Sequence, residues 1–92
     1  MAHTIWKYPV PIEDRFTISM PTETEGLTVQ AQHNKAVMWA LVDPEAPLQE
    51  RHFVLFGTGH PISDLVENLL YIGTFQLAHG ELVFHLFEVY QP

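Results

Sequence analysis

The sequence predicts an all-β domain, a small antiparallel sandwich or barrel of six to seven short strands with at most one short helical turn. Three observations carry this. Several segments alternate apolar and polar residues with a period of two, the pattern of half-buried strands. Turn-forming residues recur every eight to twelve positions, a spacing that suits short strands and not helices. The chain has 92 residues, one domain's worth over 1–92, with no linker, repeat or low-complexity stretch.

The elements follow in order. Residues 4–10 alternate around Ile5, Trp6 and Tyr8 and stop at Pro9 and Pro11. Residues 15–20 place Phe16, Ile18 and Met20 on one face, and Pro21 ends that strand. After a polar turn over 22–26, Leu27, Val29 and Ala31 alternate with Thr28, Gln30 and Gln32. His33-Asn34-Lys35 predicts a hairpin connection in which Asn34 takes a positive φ. Residues 36–42 are nearly all apolar and contain Trp39, which predicts a central strand buried on both faces, with Trp39 in the core. Asp43-Pro44-Glu45-Ala46-Pro47 breaks it, with the Asp43 side chain expected to fix a turn. Residues 51–56 resume β character, and Gly57-Thr58-Gly59-His60-Pro61 closes them. Asp64–Leu70 reads equally as a helical turn capped by Ser63 or as an extended loop. Residues 71–77 and 82–90 are strands joined at His79-Gly80.

Composition excludes several function classes. The chain is 47% hydrophobic and only 16% charged, too apolar for a disordered acidic tail. Four Lys and Arg against eleven Asp and Glu leave a net charge of −7. Lys7, Arg15, Lys35 and Arg51 stand singly, so the chain is not expected to grip a nucleic-acid backbone. No apolar run approaches the length of a membrane-crossing helix, and residues 1–7 lack the apolar core of a secretion signal. The absence of cysteine removes disulfides, thiolate metal ligands and Cys nucleophiles. A domain this small with eleven aromatic residues is expected to hide apolar surface by forming a homo-oligomer.

Ile5-Trp6-Lys7-Tyr8, Trp39-Ala40-Leu41-Val42-Asp43-Pro44, Gly57-Thr58-Gly59-His60-Pro61-Ile62, Tyr71-Ile72-Gly73-Thr74-Phe75-Gln76-Leu77 and Leu82-Val83-Phe84-His85-Leu86-Phe87-Glu88 occur in that order across nearly the whole chain. Together they resemble a family of small bacteriophage proteins that share a domain of unknown function. The resemblance implies a phage or prophage origin and a protein that works in the host bacterial cytoplasm. It carries no enzymatic activity and no catalytic residues.

The residues themselves point away from catalysis. His3, His33, His52, His60, His79 and His85 form no paired metal-ligand spacing, and His85 and Glu88 fall on opposite faces of a strand. Neither Ser19 nor Ser63 sits in a nucleophile elbow. No metal, no cofactor and no enzyme activity are expected. The most informative local feature is Gly57-Thr58-Gly59-His60, whose glycines permit successive N–H groups to face one concavity as an anion nest. A tight strand-exit turn explains the same glycines. Arg51 lies on the strand leading into this loop, and Trp6 and Tyr8 supply aromatic surface beside Lys7.

Arg51, Gly57, Thr58, Gly59, His60, Trp6 and Tyr8 are therefore the candidate ligand-binding residues. The expected function is a non-enzymatic binding module, in its concrete form a sponge that sequesters a small anionic, nucleotide-derived immune signal of the bacterial host. The alternative is a protein–protein inhibitor of a host factor, or a structural accessory of the virion. A signal-degrading enzyme ranks third.

Overall fold

The computed structural model describes residues 2–62 and 66–90. Seven strands form two antiparallel sheets. They are β1 (Thr4–Pro9), β2 (Arg15–Pro21), β3 (Glu25–Gln32), β4 (Lys35–Val42), β5 (Leu48–Gly57), β6 (Leu69–Leu77) and β7 (Leu82–Val89). The smaller sheet has the order β1-β4-β3 and the larger β2-β5-β7-β6. The only helical geometry among the described residues is two single 3-10 turns, Val66–Asn68 and Ala78–Gly80. The expected all-β architecture is what forms. Ser63 and Asp64 lie outside the described residues; within the ambiguous segment, Val66–Asn68 is a 3-10 turn and Leu69 already begins β6.

Period two decides which side chains meet between the sheets. On β4, Ala36, Met38, Ala40 and Val42 point inward and are buried. Met20 of β2 does the same from the larger sheet, with Phe53 and Leu55 of β5, Leu86 of β7, and Phe75 and Leu77 of β6, while Phe16 and Ile18 of β2 pack against them half-buried. Phe16 and Phe53 stack directly across the β2–β5 pair, with ring centroids 5.5 Å apart. Fully burying a side chain of this size stabilises by about 1.5–3 kcal/mol, so this layer is the main source of stability.

Trp39 is not part of that layer. It lies opposite Lys7 and Thr28, on the outward face of the small sheet, and is only half-buried. β4 is central, as predicted, but its outward residues Trp39 and Leu41 remain partly open to solvent. A long apolar run conceals its own face assignment, because both phases read the same.

Two bulges bring the sheets together along one side. β3 shifts register between Gly26 and Thr28, and β6 between Tyr71 and Gly73. Gly73 sits so close to β3 that a Cβ there would lie 2.9 Å from Val29 Cγ1. The extra residue of the β6 bulge, Ile72, packs against the core. The β3–β4 hairpin turns through His33 (φ 53°) and Asn34 (φ 60°), the paired positive φ of a type I′ loop. The Asn34 side chain accepts the Ala78 N–H at 3.0 Å, which ties this hairpin to the β6–β7 turn.

Candidate functional site

A concavity of about 720 Å³ opens at one end of the sandwich. Its walls come from the β2–β3 turn (Glu23, Thr24), the first residues of β3, β5 and β6, and the end of β7 through Tyr90. That volume lies in the range of small-molecule sites. At its base Arg51 meets Glu88 in a two-pronged ion pair: Nε donates to Oε2, and Nη2 donates to Oε1 at 2.9 Å. Nη2 also donates to the Thr24 carbonyl at 2.8 Å. Both side chains belong to the inward faces of their strands, in phase with Phe53 and Leu86, and are 17% and 12% exposed.

This pair organises the cleft. The β2–β3 turn is held by Thr24, whose Oγ1 donates to the Pro21 carbonyl at 2.6 Å, and Arg51 then ties that turn to β5 and β7. Pairing also neutralises the one cation at the cleft base. Glu23, Glu25 and Glu50 line the walls, so the cleft is acidic. The remaining walls are apolar or amphipathic, with Tyr71 and Tyr90 57% and 61% exposed.

The seven residues expected to bind a ligand fall in three separate places. Arg51 is in this cleft. Gly57, Thr58, Gly59 and His60 lie at the far end of β5, six residues or roughly 20 Å along the strand. Trp6 and Tyr8 are on β1 in the other sheet, their rings edge-to-face at 6.5 Å. In the glycine loop, the Thr58 N–H donates to the Val83 carbonyl and the His60 N–H to the Gly57 carbonyl. Two amides of the expected nest are thus spent inside the fold. Gly59 takes φ +87°, and a Cβ at Gly57 would lie 2.9 Å from the His60 ring. The loop's glycines are accounted for by this turn. His60 and Pro61 border a smaller hollow of about 230 Å³ with Asp14 and Arg15.

The Tyr8 hydroxyl is, among the described residues, the one buried side-chain polar atom without a hydrogen-bond partner. Burial raises its pKa above the ordinary 10.0. Among the described residues no three His, Asp or Glu side chains gather in a metal-ligand cluster. No described helix is long and apolar enough to cross a membrane.

A second polar constellation went unread in the sequence. On the outward face of the larger sheet, His85 Nε2 pairs with Thr58 Oγ1 at 2.7 Å and His85 Nδ1 with Thr74 Oγ1 at 2.8 Å. Thr74 Oγ1 is also bonded to the Tyr71 hydroxyl at 2.6 Å. Either neutral tautomer satisfies both ring nitrogens, because each hydroxyl can donate or accept. Tyr71 and Thr74 share a face only because of the β6 bulge; in a regular strand a spacing of three puts side chains on opposite faces.

The family comparison covers the entire chain: the domain of unknown function DUF7352 matches residues 1–92. The chain belongs to that family. No curated protein and no solved structure matches it. The family brings no ligand or reaction with it, so any functional reading rests on the cleft and the surfaces.

Proposed function

We propose that this DUF7352 protein is a non-enzymatic binding module that captures a small, planar, hydrogen-bonding molecule in the cleft above Arg51 and Glu88. The observation that carries the reading is the cleft itself: about 720 Å³, a fixed ion pair at its base, and at its rim the exposed Tyr90 and Tyr71, the latter with its hydroxyl held by Thr74 on the outer face of β6. Tyrosine faces stack on heterocycles, and carboxylates accept ring N–H and exocyclic amine donors. The resemblance to bacteriophage proteins sharpens the proposal to a sponge for a nucleotide-derived immune signal of the bacterial host. The acidic walls and the neutralised Arg51 favour entry base first, with the phosphates turned toward solvent. Binding alone serves such a role, and no catalytic step is part of the proposal.

The test is capture and release. The pure protein is incubated with small-molecule extract from signalling-active bacterial cells, washed and heated, and the supernatant is assayed for signal. Release of active signal by the wild-type protein, and not by Tyr71→Ala/Tyr90→Ala, is the expected result. A folded wild-type protein that depletes nothing from the extract would refute the reading.

The second reading, a protein–protein inhibitor or virion accessory, draws on the exposed apolar residues Ile5, Leu27 and Trp6 of the small sheet. A single host protein recovered in stoichiometric amount, together with no small-molecule depletion, would favour it.

A further inference from the structure

The outward face of the β1-β4-β3 sheet carries more basic than acidic side chains. Its three strands carry Lys7, Lys35 and a single carboxylate, Glu25, whereas the chain as a whole has eleven acidic residues against four basic ones. Strand register puts Ile5, Leu41, Trp39, Val37 and Pro9 on this face, with Val37 already buried. Ile5 of β1 is 55% exposed, and Leu27, the bulge residue of β3 across β4 from it, is 41% exposed. An apolar centre with charged ends is how a sheet face meets another sheet face.

The charges also have a direction. Glu25 lies opposite Leu41 at one end of the face, and Lys35 lies opposite Gln32 at the other. Lys7 reaches toward that second end, where its Nζ donates to Gln32 Oε1 at 2.9 Å. Six residues of β4 separate the ends, roughly 20 Å. A twofold axis lying in the interface and perpendicular to the strands swaps the ends. It sets Glu25 of each copy over the Lys35 corner of the other.

We infer that two copies of this chain associate through this face as a twofold dimer, with Glu25 and Lys35 as reciprocal ion pairs around an apolar centre containing Trp39 and Ile5. The face adjoins the cleft at Glu25, which lines both, but the association does not require anything bound in the cleft. A net charge of −7 on each copy opposes association in general, whereas this face carries two lysines against one carboxylate. Three strands of eight residues or fewer present a face of roughly 400 Å² per copy, which places the pair below the area of standard stable interfaces. The dimer is therefore a weak, reversible one, and salt weakens it further.

Sedimentation velocity across a concentration series tests it. The wild-type chain should shift from monomer to dimer, and Glu25→Lys or Lys35→Glu alone should weaken the dimer about tenfold or more by placing like charges together. An equimolar mixture of the two single variants should form a heterodimer that neither forms alone, and the double variant Glu25→Lys/Lys35→Glu should recover wild-type association. Ile5→Glu, at an exposed position, should also leave a folded monomer. A wild-type chain that stays monomeric at all concentrations would overturn the inference. So would single variants that dimerise like wild type, or a mixture that gains nothing.

Discussion

Replacing Glu88 by Leu leaves the Arg51 guanidinium with the Thr24 carbonyl as its one remaining partner among the bonds described above. The lost pair is two-pronged, and its side chains are only 17% and 12% exposed, so the stranded charge stays largely out of water. Breaking a buried pair from one side costs about 3–5 kcal/mol, and the residual exposure argues for the lower end, about 3 kcal/mol. With a urea slope of about 1 kcal/mol/M for a small domain, the midpoint should fall by about 2–3 M. Arg51→Met combined with Glu88→Leu should recover most of this, because an apolar pair of similar volume replaces an ion pair at little net cost. The double-mutant cycle should return a coupling of about 2 kcal/mol. A Glu88→Leu chain within about 0.5 kcal/mol of wild type would refute the claim that this pair holds the cleft together.

Three further outcomes follow from particular contacts. Tyr8→Phe removes a buried hydroxyl without a partner, so urea unfolding should show a stability equal to or about 1 kcal/mol above wild type. Because burial raises the Tyr8 pKa, the unfolded chain ionises first as pH climbs. That contribution to stability is intact below pH 10.0 and is lost as pH rises through the higher folded value, so a pH series of melting curves should show a shallower alkaline decline in Tyr8→Phe. Gly73→Ala drives a Cβ to 2.9 Å from Val29 Cγ1 and should cost about 1–3 kcal/mol by thermal unfolding. Val29→Ala in the same chain should recover part of that loss, and strictly additive losses would contradict the contact.

Much of the fold was legible because half-buried strands announce themselves. Phe16, Ile18 and Met20 alternate cleanly, and Asn34 takes the positive φ that its hairpin requires. The Asp43 side chain accepts the Glu45 N–H at 3.1 Å, the turn its place before a proline predicted. The site was less legible, for two reasons. Arg51 and Glu88 are 37 positions apart, with no local motif that joins them. Yet Arg51 is in phase with Phe53 and Leu55, and Glu88 with Phe84 and Leu86, so the alternation already marked both as inward and in need of each other. The Tyr71 arm of the His85 network had no such signal, because it depends on a bulge at Ile72 that period-two reasoning cannot anticipate. The glycine loop reads two ways in the sequence, because a nest and a turn share one pattern; in the structure the Thr58 and His60 amides bond within the fold.

Capture of a small molecule in the cleft can be read by native mass spectrometry of the protein recovered from signalling-active bacterial cells. The wild-type chain should carry a discrete small-molecule adduct at one per cleft. The adduct should be absent from Tyr71→Ala/Tyr90→Ala recovered from the same cells at the same folded yield. A wild-type chain that returns only at its bare mass, or an adduct equally abundant on the tyrosine variant, would contradict capture in the cleft.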